Sequence, residues 1–410
     1  MQIFLFYIII GIVVFDFIVE RLLEYLNLKH FKEKLPTELS GIYNEQKYHK
    51  SQAYLKANAR FSMISSGFLF LLLMLMLSLQ GFAIVNDWVT NLSNSVYLQS
   101  LLFFGVLGLG FDILSLPFQL YQTFVIEDEF GFNKTTVSTF VLDKLKSWIL
   151  GLLLGGGALL FIQWAYLNGG SLFWLIALGG IGFFSIFMAM FYTSLIVPLF
   201  NRLVPLEDGE LKTAIEDFAQ QAGFGLNNIY VMDGSKRSSK ANAYFSGLGP
   251  KKKIILYDTL INDLSKEEIV AVLAHEVGHY KKKHIYKGLA LSLLQMAFML
   301  ILLWWALNNP ALSMALGAKQ ASFQMGLLAF SLLYSPISFL LNIPNQLISR
   351  KHEYEADAFA KMYGLGKSLV NALINLSVKS LSNLQPHPAY VFFYYSHPTL
   401  LQRKNAIEDS

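Results

Sequence analysis

Residues 275–279 read His-Glu-Val-Gly-His. On a helix, positions four apart share a face, so His275 and His279 can offer two imidazoles to one metal ion, with Glu276 beside them as a base. That is the arrangement a zinc hydrolase needs. A chance HExxH in a chain with eight histidines has a probability of about one per cent, so the pair alone decides little and the third ligand carries the argument. A metzincin would place a third His six residues beyond His279 and a Gly three residues beyond it. Those positions hold Ile285 and Lys282. His284 lies five residues on, well around a continuous helix from the His275/His279 face. The remaining common scheme takes a Glu from a separate downstream helix, with an Asp one turn later to hold a ligand imidazole. Ser349 to Ala360, SRKHEYEADAFA, supplies Glu353 and Asp357 at that spacing. Glu355 points away from Glu353 on such a helix and has no assigned role.

The elements that must position these residues belong to a membrane protein. The 410 residues are 54% hydrophobic and 15% charged, against about a quarter charged in ordinary soluble domains. The chain has no cysteine, so a metal must be held by His and carboxylate. A net charge of +4 with dispersed lysines does not suit nucleic acid. Seven apolar runs are long enough to cross the hydrocarbon as helices: 3–19, 61–85, 96–122, 147–167, 172–200, 286–307 and 321–346. The first has no basic region before it and no small-residue cleavage site after it, and reads as a retained span. Of the 32 Lys and Arg, all but Lys287 and Lys319 fall in residues 20–60, 123–146, 201–285 and 350–410. The positive-inside rule puts those segments, and both metal motifs, in the cytosol.

The HEVGH helix is expected to start at a capping box, Ser265 to Glu268, and to run without interruption through Lys281–Lys283 into the sixth span. The zinc would then sit where the cytosolic ends of the sixth and seventh spans meet. Asn342-Ile-Pro344-Asn345 is expected to break or kink the seventh. Asp16 and Asp112, with Gln163, Gln295 and Asn342, place polar groups at membrane depth; they imply a hydrated interior or hydrogen bonding between helices. Between spans five and six, 209–222 reads as an amphipathic helix capped near Asp208. Three β-like runs follow, 228–232, 242–246 and 253–257, with Gly247–Pro250 as a turn. An exposed strand edge there could align an extended peptide by its main chain.

Seven further stretches carry a resemblance: IEDEFGFNKTT (126–136), PLEDGELKTAIEDFA (205–219), YVMDGSKRSSKANAYFSG (230–247), IILYDTLI (254–261), HEVGHYKKKH (275–284), SRKHEYEADAFA (349–360) and YYSHPTLLQR (394–403). Together they resemble the type I CAAX prenyl proteases, integral-membrane zinc endopeptidases of gluzincin type that trim prenylated proteins. The resemblance implies an all-α multi-spanning membrane protein, seven helices around a water-filled chamber, with a zincin-like α+β lobe closing its cytosolic end. The expected divisions are 1–200 (spans one to five), 201–285 (lobe with small sheet and HEVGH helix), 286–349 (spans six and seven) and 350–410 (C-terminal helices with the third ligand). It also implies one Zn2+ per chain on His275, His279 and Glu353, Glu276 as catalytic base, and Asp357 behind a ligand imidazole. By the same match Asn242 contacts substrate backbone, and His397 and Arg403 line the site near the developing oxyanion. The partners implied are a peptide or protein substrate, a lipidated or membrane-associated one included, and membrane lipid. The chain stops at Ser410 with no receptor-read retention sequence, which points to a bacterial inner membrane, with the endoplasmic reticulum as the alternative.

Two other functions compete with CAAX processing. A membrane quality-control protease would use the same chemistry on misfolded membrane proteins. A transporter or lipid-binding protein would keep zinc only for structure, and such sites are closed by four protein ligands.

Overall fold

The computed structural model describes residues 1–31, 34, 35, 37–225, 229–247 and 252–409. Among them, six helical stretches are long and apolar enough to cross a membrane: Gln2–Lys29, Glu45–Ser78, Val96–Glu129, Val137–Phe200, His284–Leu307 and Phe323–Met362. Large apolar side chains such as Leu71, Phe183 and Trp305 point outward and are more than half exposed. Soluble monomers rarely tolerate so much, whereas a bilayer covers it. The chain is a multi-pass membrane protein.

Two breaks differ from the sequence reading, and a third falls in the connection expected at 168–171. The run expected over 61–85 stops at Ser78; Gln80 adopts a left-handed conformation and Gly81–Leu92 forms a separate helix. The 64-residue stretch Val137–Phe200 turns at Gly170, whose φ of +52° and ψ of −127° only glycine adopts without strain. Helices Gly156–Gly169 and Phe173–Leu195 pack side by side across that turn. The HEVGH helix, Lys266–Lys281, does not run on into the next span. Lys283 is left-handed (φ +59°, ψ +31°), and a new helix starts at His284.

The last long helix, Phe323–Met362, runs on through Asn342–Asn345, where a break or kink was expected, without a break, and contains both Pro336 and Pro344. Pro336 cannot donate to the carbonyl of Leu332, and the hydroxyl of Ser335 donates there instead at 3.0 Å. The division drawn at 349/350 therefore falls inside one helix. Forty residues span about 60 Å, roughly twice the hydrocarbon thickness, so this helix reaches well past the bilayer.

The polar groups at depth serve both expected uses. Asp112 accepts from Lys144 Nζ at 2.7 Å and Trp148 Nε1 at 2.8 Å, and Gln163 donates to the carbonyl of Val96 at 3.0 Å. These tie helices together. Asp16, Glu20, Gln295, Asn342 and Asn345 line a cavity of about 640 Å³, where Asp16 also accepts from Ser335 and Gln295 exchanges hydrogen bonds with Asn345 at 3.0 and 3.1 Å. A second, mostly apolar cavity of about 800 Å³ lies beside it and shares Asp16 and Glu20.

The lobe carries four strands, β1 (Leu203–Pro205), β2 (Ile229–Met232), β3 (Ala243–Ser246) and β4 (Lys253–Tyr257), in the order β1-β2-β4-β3. β2 and β4 are parallel; β1 and β3 pair antiparallel at the edges. β1, only three residues long, gave no alternation to read. Asn228 and Leu248–Pro250, part of the first β-run and of the expected turn, lie outside the described residues. The amphipathic helix is Glu210–Gln221 with Gly209 at its N-cap; Asp208 pairs with Lys212 at 2.6 Å and makes no cap. The capping box before the HEVGH helix is present, with both reciprocal bonds between Ser265 and Glu268. Ile215, Phe218, Leu256, Leu260, Leu273 and Val277 form the core that seats this helix against the sheet.

Candidate active site

The HEVGH helix meets the long helix at Gly278. A Cβ there would lie 3.0 Å from Phe359 Cβ and 3.1 and 3.2 Å from Cα and O of Ala356. Ala356 and Ala360 are fully buried in the same contact. Small residues on both sides let the backbones approach closely, and this brings one carboxylate of the long helix onto two imidazoles of the other.

His275 Nε2 and His279 Nε2 are 3.1 Å apart, and Glu353 completes the triangle with Oε2 at 3.4 Å from the first and Oε1 at 3.3 Å from the second. The three donor atoms lie within 4.8 Å of one another, and no other such group occurs among the described residues. Two Zn–N bonds at a tetrahedral angle hold their nitrogens about 3.3 Å apart. Glu353 is 4% exposed, and its Oε2 is buried without a hydrogen bond. A buried carboxylate oxygen left in that state is costly unless a cation shares the space. The donor set thus fits a divalent ion.

Behind His275, Nδ1 meets Asp357 Oδ1 at 2.8 Å. Arg403, 8% exposed, grips Asp357 through Nε at 2.8 Å and Nη2 at 2.6 Å. Its Nη1 is 3.4 Å from Glu353 Oε2. Arg403 therefore reaches the cluster, but with its fork turned onto Asp357 rather than toward an open oxyanion position. Behind His279, Nδ1 is 2.9 Å from Nδ1 of His284, whose Nε2 is 2.9 Å from Glu355 Oε2. His284 had been set aside because a continuous helix would carry it away; the turn at Lys283 brings it back. Glu355 does point away from Glu353, and toward His284.

Glu276, next to His275, makes no hydrogen bond or ion pair among the described residues, so its carboxylate is uncommitted. Burial pushes its carboxyl above the usual range, against the pull of His275 and His279. Burial disfavours charge on His275, yet the Asp357 and Glu353 carboxylates outweigh it and raise the metal-free imidazole to about 9. His397 brings Nε2 to 3.4 Å from Glu353 Oε1, with its side chain 60% exposed. Asn242 stands apart from these contacts, just before edge strand β3, with its carbonyl accepting from the N–H of Tyr257 at 3.0 Å.

Comparison with known proteins agrees with this geometry. Residues 24–202 match the family described as CAAX prenyl protease N-terminal, five membrane helices, and residues 205–410 match Peptidase family M48. CAAX prenyl protease 1 of Saccharomyces cerevisiae is 35% identical, over 98% of this chain and 94% of its own. The Arabidopsis thaliana homologue is 34% identical over 98% and 96%. The crystal structure of S. mikatae Ste24p superposes with a TM-score of 0.93 at 36% identity, covering 98% of each chain.

Proposed function

This chain belongs to peptidase family M48, with CAAX prenyl protease 1 among its relatives, and from that premise we propose how its residues divide the work. It is a zinc-dependent membrane endopeptidase that acts on peptide or protein substrates. In the proposed division His275, His279 and Glu353 hold a single Zn2+. When bound, the ion polarises the scissile carbonyl and lowers the pKa of water at its open position.

The chain supplies the rest. Glu276 accepts the proton of the attacking water and returns it to the leaving amine. A carboxyl held above its usual range by burial suits that exchange, since it is a stronger base than an ordinary exposed carboxylate. His397, the exposed group beside Glu353, donates from Nε2 to the carbonyl oxygen as negative charge builds. Arg403 acts one step back, holding Asp357 against His275. Asn242 stands at the head of β3, which among the described residues pairs with β4 alone. The free edge of β3 aligns an extended substrate chain, and Asn242 contacts its backbone.

The carrying observation is the convergence of three donor atoms beside an uncommitted carboxylate. A zinc kept only for structure would be enclosed by four protein ligands; three donors with Glu276 at hand favour hydrolysis. The turn at Gly170 within the 64-residue stretch supports a reading of seven spans, and the distribution of basic residues supports a cytosolic position for residues 201–285 and 350–410. The apolar cavity of about 800 Å³ supports a prenylated or otherwise lipidated substrate over the quality-control alternative, which needs no lipid pocket. Glu276→Gln tests the mechanism: zinc should be retained by elemental analysis while cleavage of a prenylated peptide falls about 10²–10⁴-fold. Near-native turnover would remove Glu276 from the reaction.

A further inference from the structure

The two imidazoles of the HEVGH motif are backed differently. His275 rests on a carboxylate, Asp357, pinned in turn by Arg403. His279 rests on a second imidazole, and only behind that is there a carboxylate, Glu355. With Nε2 of His279 turned toward His275 and Glu353, its proton sits on Nδ1 and is donated to the bare Nδ1 of His284. His284 then carries its own proton on Nε2 and donates it to Glu355. Each nitrogen has one role, and the chain of donors closes in a single tautomeric arrangement with the carboxylate at its end.

Two observations show that the arrangement is built. The ring of His352 stacks on that of His284, 3.8 Å between centroids and 9° from parallel, which fixes its plane. His284 is also 5% exposed, so a polar ring has been enclosed where, among the described residues, only His279 and Glu355 bond to it. On a continuous helix, residue 284 would lie about 140° around from residue 279. It reaches His279 because Lys283 takes a left-handed conformation that a residue with a side chain rarely adopts. Such a conformation persists where the surroundings demand it.

We propose that His284, oriented by Glu355, is a positioning residue for His279: it fixes the tautomer and ring direction of that imidazole and so sets how tightly the site holds zinc. The proposal rests on the reading of His279 as a ligand. It also means that the two imidazoles of one motif are held from different places, His275 by the C-terminal tail and His279 by the first residue of a membrane span.

The test is zinc affinity and release rate of the full-length protein in detergent, by competition with a chelator. His284→Leu fills the space but accepts no hydrogen bond, and should weaken zinc binding about 10- to 100-fold. His284→Asn, whose Oδ1 can take the place of Nδ1, should recover most of that loss. Leucine and asparagine variants that bind alike, or a leucine variant equal to the native protein, would overturn the proposal. If the leucine variant misfolds, Glu355→Ala at a partly exposed position carries the test: it should release zinc several-fold faster, and an unchanged rate is the refuting result. His279→Ala is the separate control and should lose zinc entirely; its retention would instead refute the ligand set.

Discussion

His275 is held between two carboxylates, Asp357 and Glu353, and that makes zinc binding a competition with protons. In the metal-free protein the Asp357 and Glu353 carboxylates keep His275 protonated up to about 9. A ligand imidazole must be neutral to bind. Below pH 9 zinc therefore has to displace a proton, so apparent affinity should rise about tenfold per pH unit through neutrality and level off above 9. The charge on Arg403 opposes protonation of His275, so in Arg403→Ala the plateau should move to higher pH. Chelator competition across pH 6–10 checks both; a flat profile would show that zinc does not displace a proton from His275. At this scale the sequence was largely readable. His275, Glu276, His279, Glu353 and Asp357 are related by helical spacing, and spacing survives folding. The contact of His284 with His279 was not legible because it depends on one positive φ, and that of Arg403 with Asp357 because it joins residues 46 positions apart.

The decisive element contact is the crossing of the HEVGH helix and the long helix at Gly278. Its missing Cβ lets the backbones approach, and a methyl there would press on Ala356 at 3.1–3.2 Å. Gly278→Ala should push the helices apart by a few tenths of an ångström and weaken zinc binding about tenfold. Gly278→Val should cost on the order of 10²-fold or more, with helical content by circular dichroism unchanged. Native affinity in both variants would mean that the helices can slide without moving Glu353. The capping box and strands β2 to β4 were legible from local signals. The continuity of the long helix was not: prolines argue for a break, and the Ser335 bond to the freed carbonyl of Leu332 is a tertiary-scale detail of one rotamer. The start of a new helix at His284 was equally hidden, since three lysines carry no stop signal.

For the whole molecule, composition announced a membrane protein and the charge distribution gave it a direction. The absence of cysteine makes that direction simple to measure. Single cysteines at positions 90 and 314 should react with an impermeant reagent applied outside the cell, and one at 236 only after permeabilisation; the reverse pattern would invert the topology. The end of the second apolar run was harder to read than the crossings themselves, because Gln80 closes that helix early, whereas the turn at Gly170 falls in the 168–171 connection that the sequence marked. The long helix also settles what can be separated from what. Residues 201–285 hold two imidazoles, the base and the sheet, yet Glu353 and Asp357 arrive on the far side of two further crossings, and His397 and Arg403 later still. A soluble fragment cut free at the bilayer surface would be inert, so this hydrolase cannot be shed as an active piece, and its activity stays confined to the lipid surface on which it is anchored.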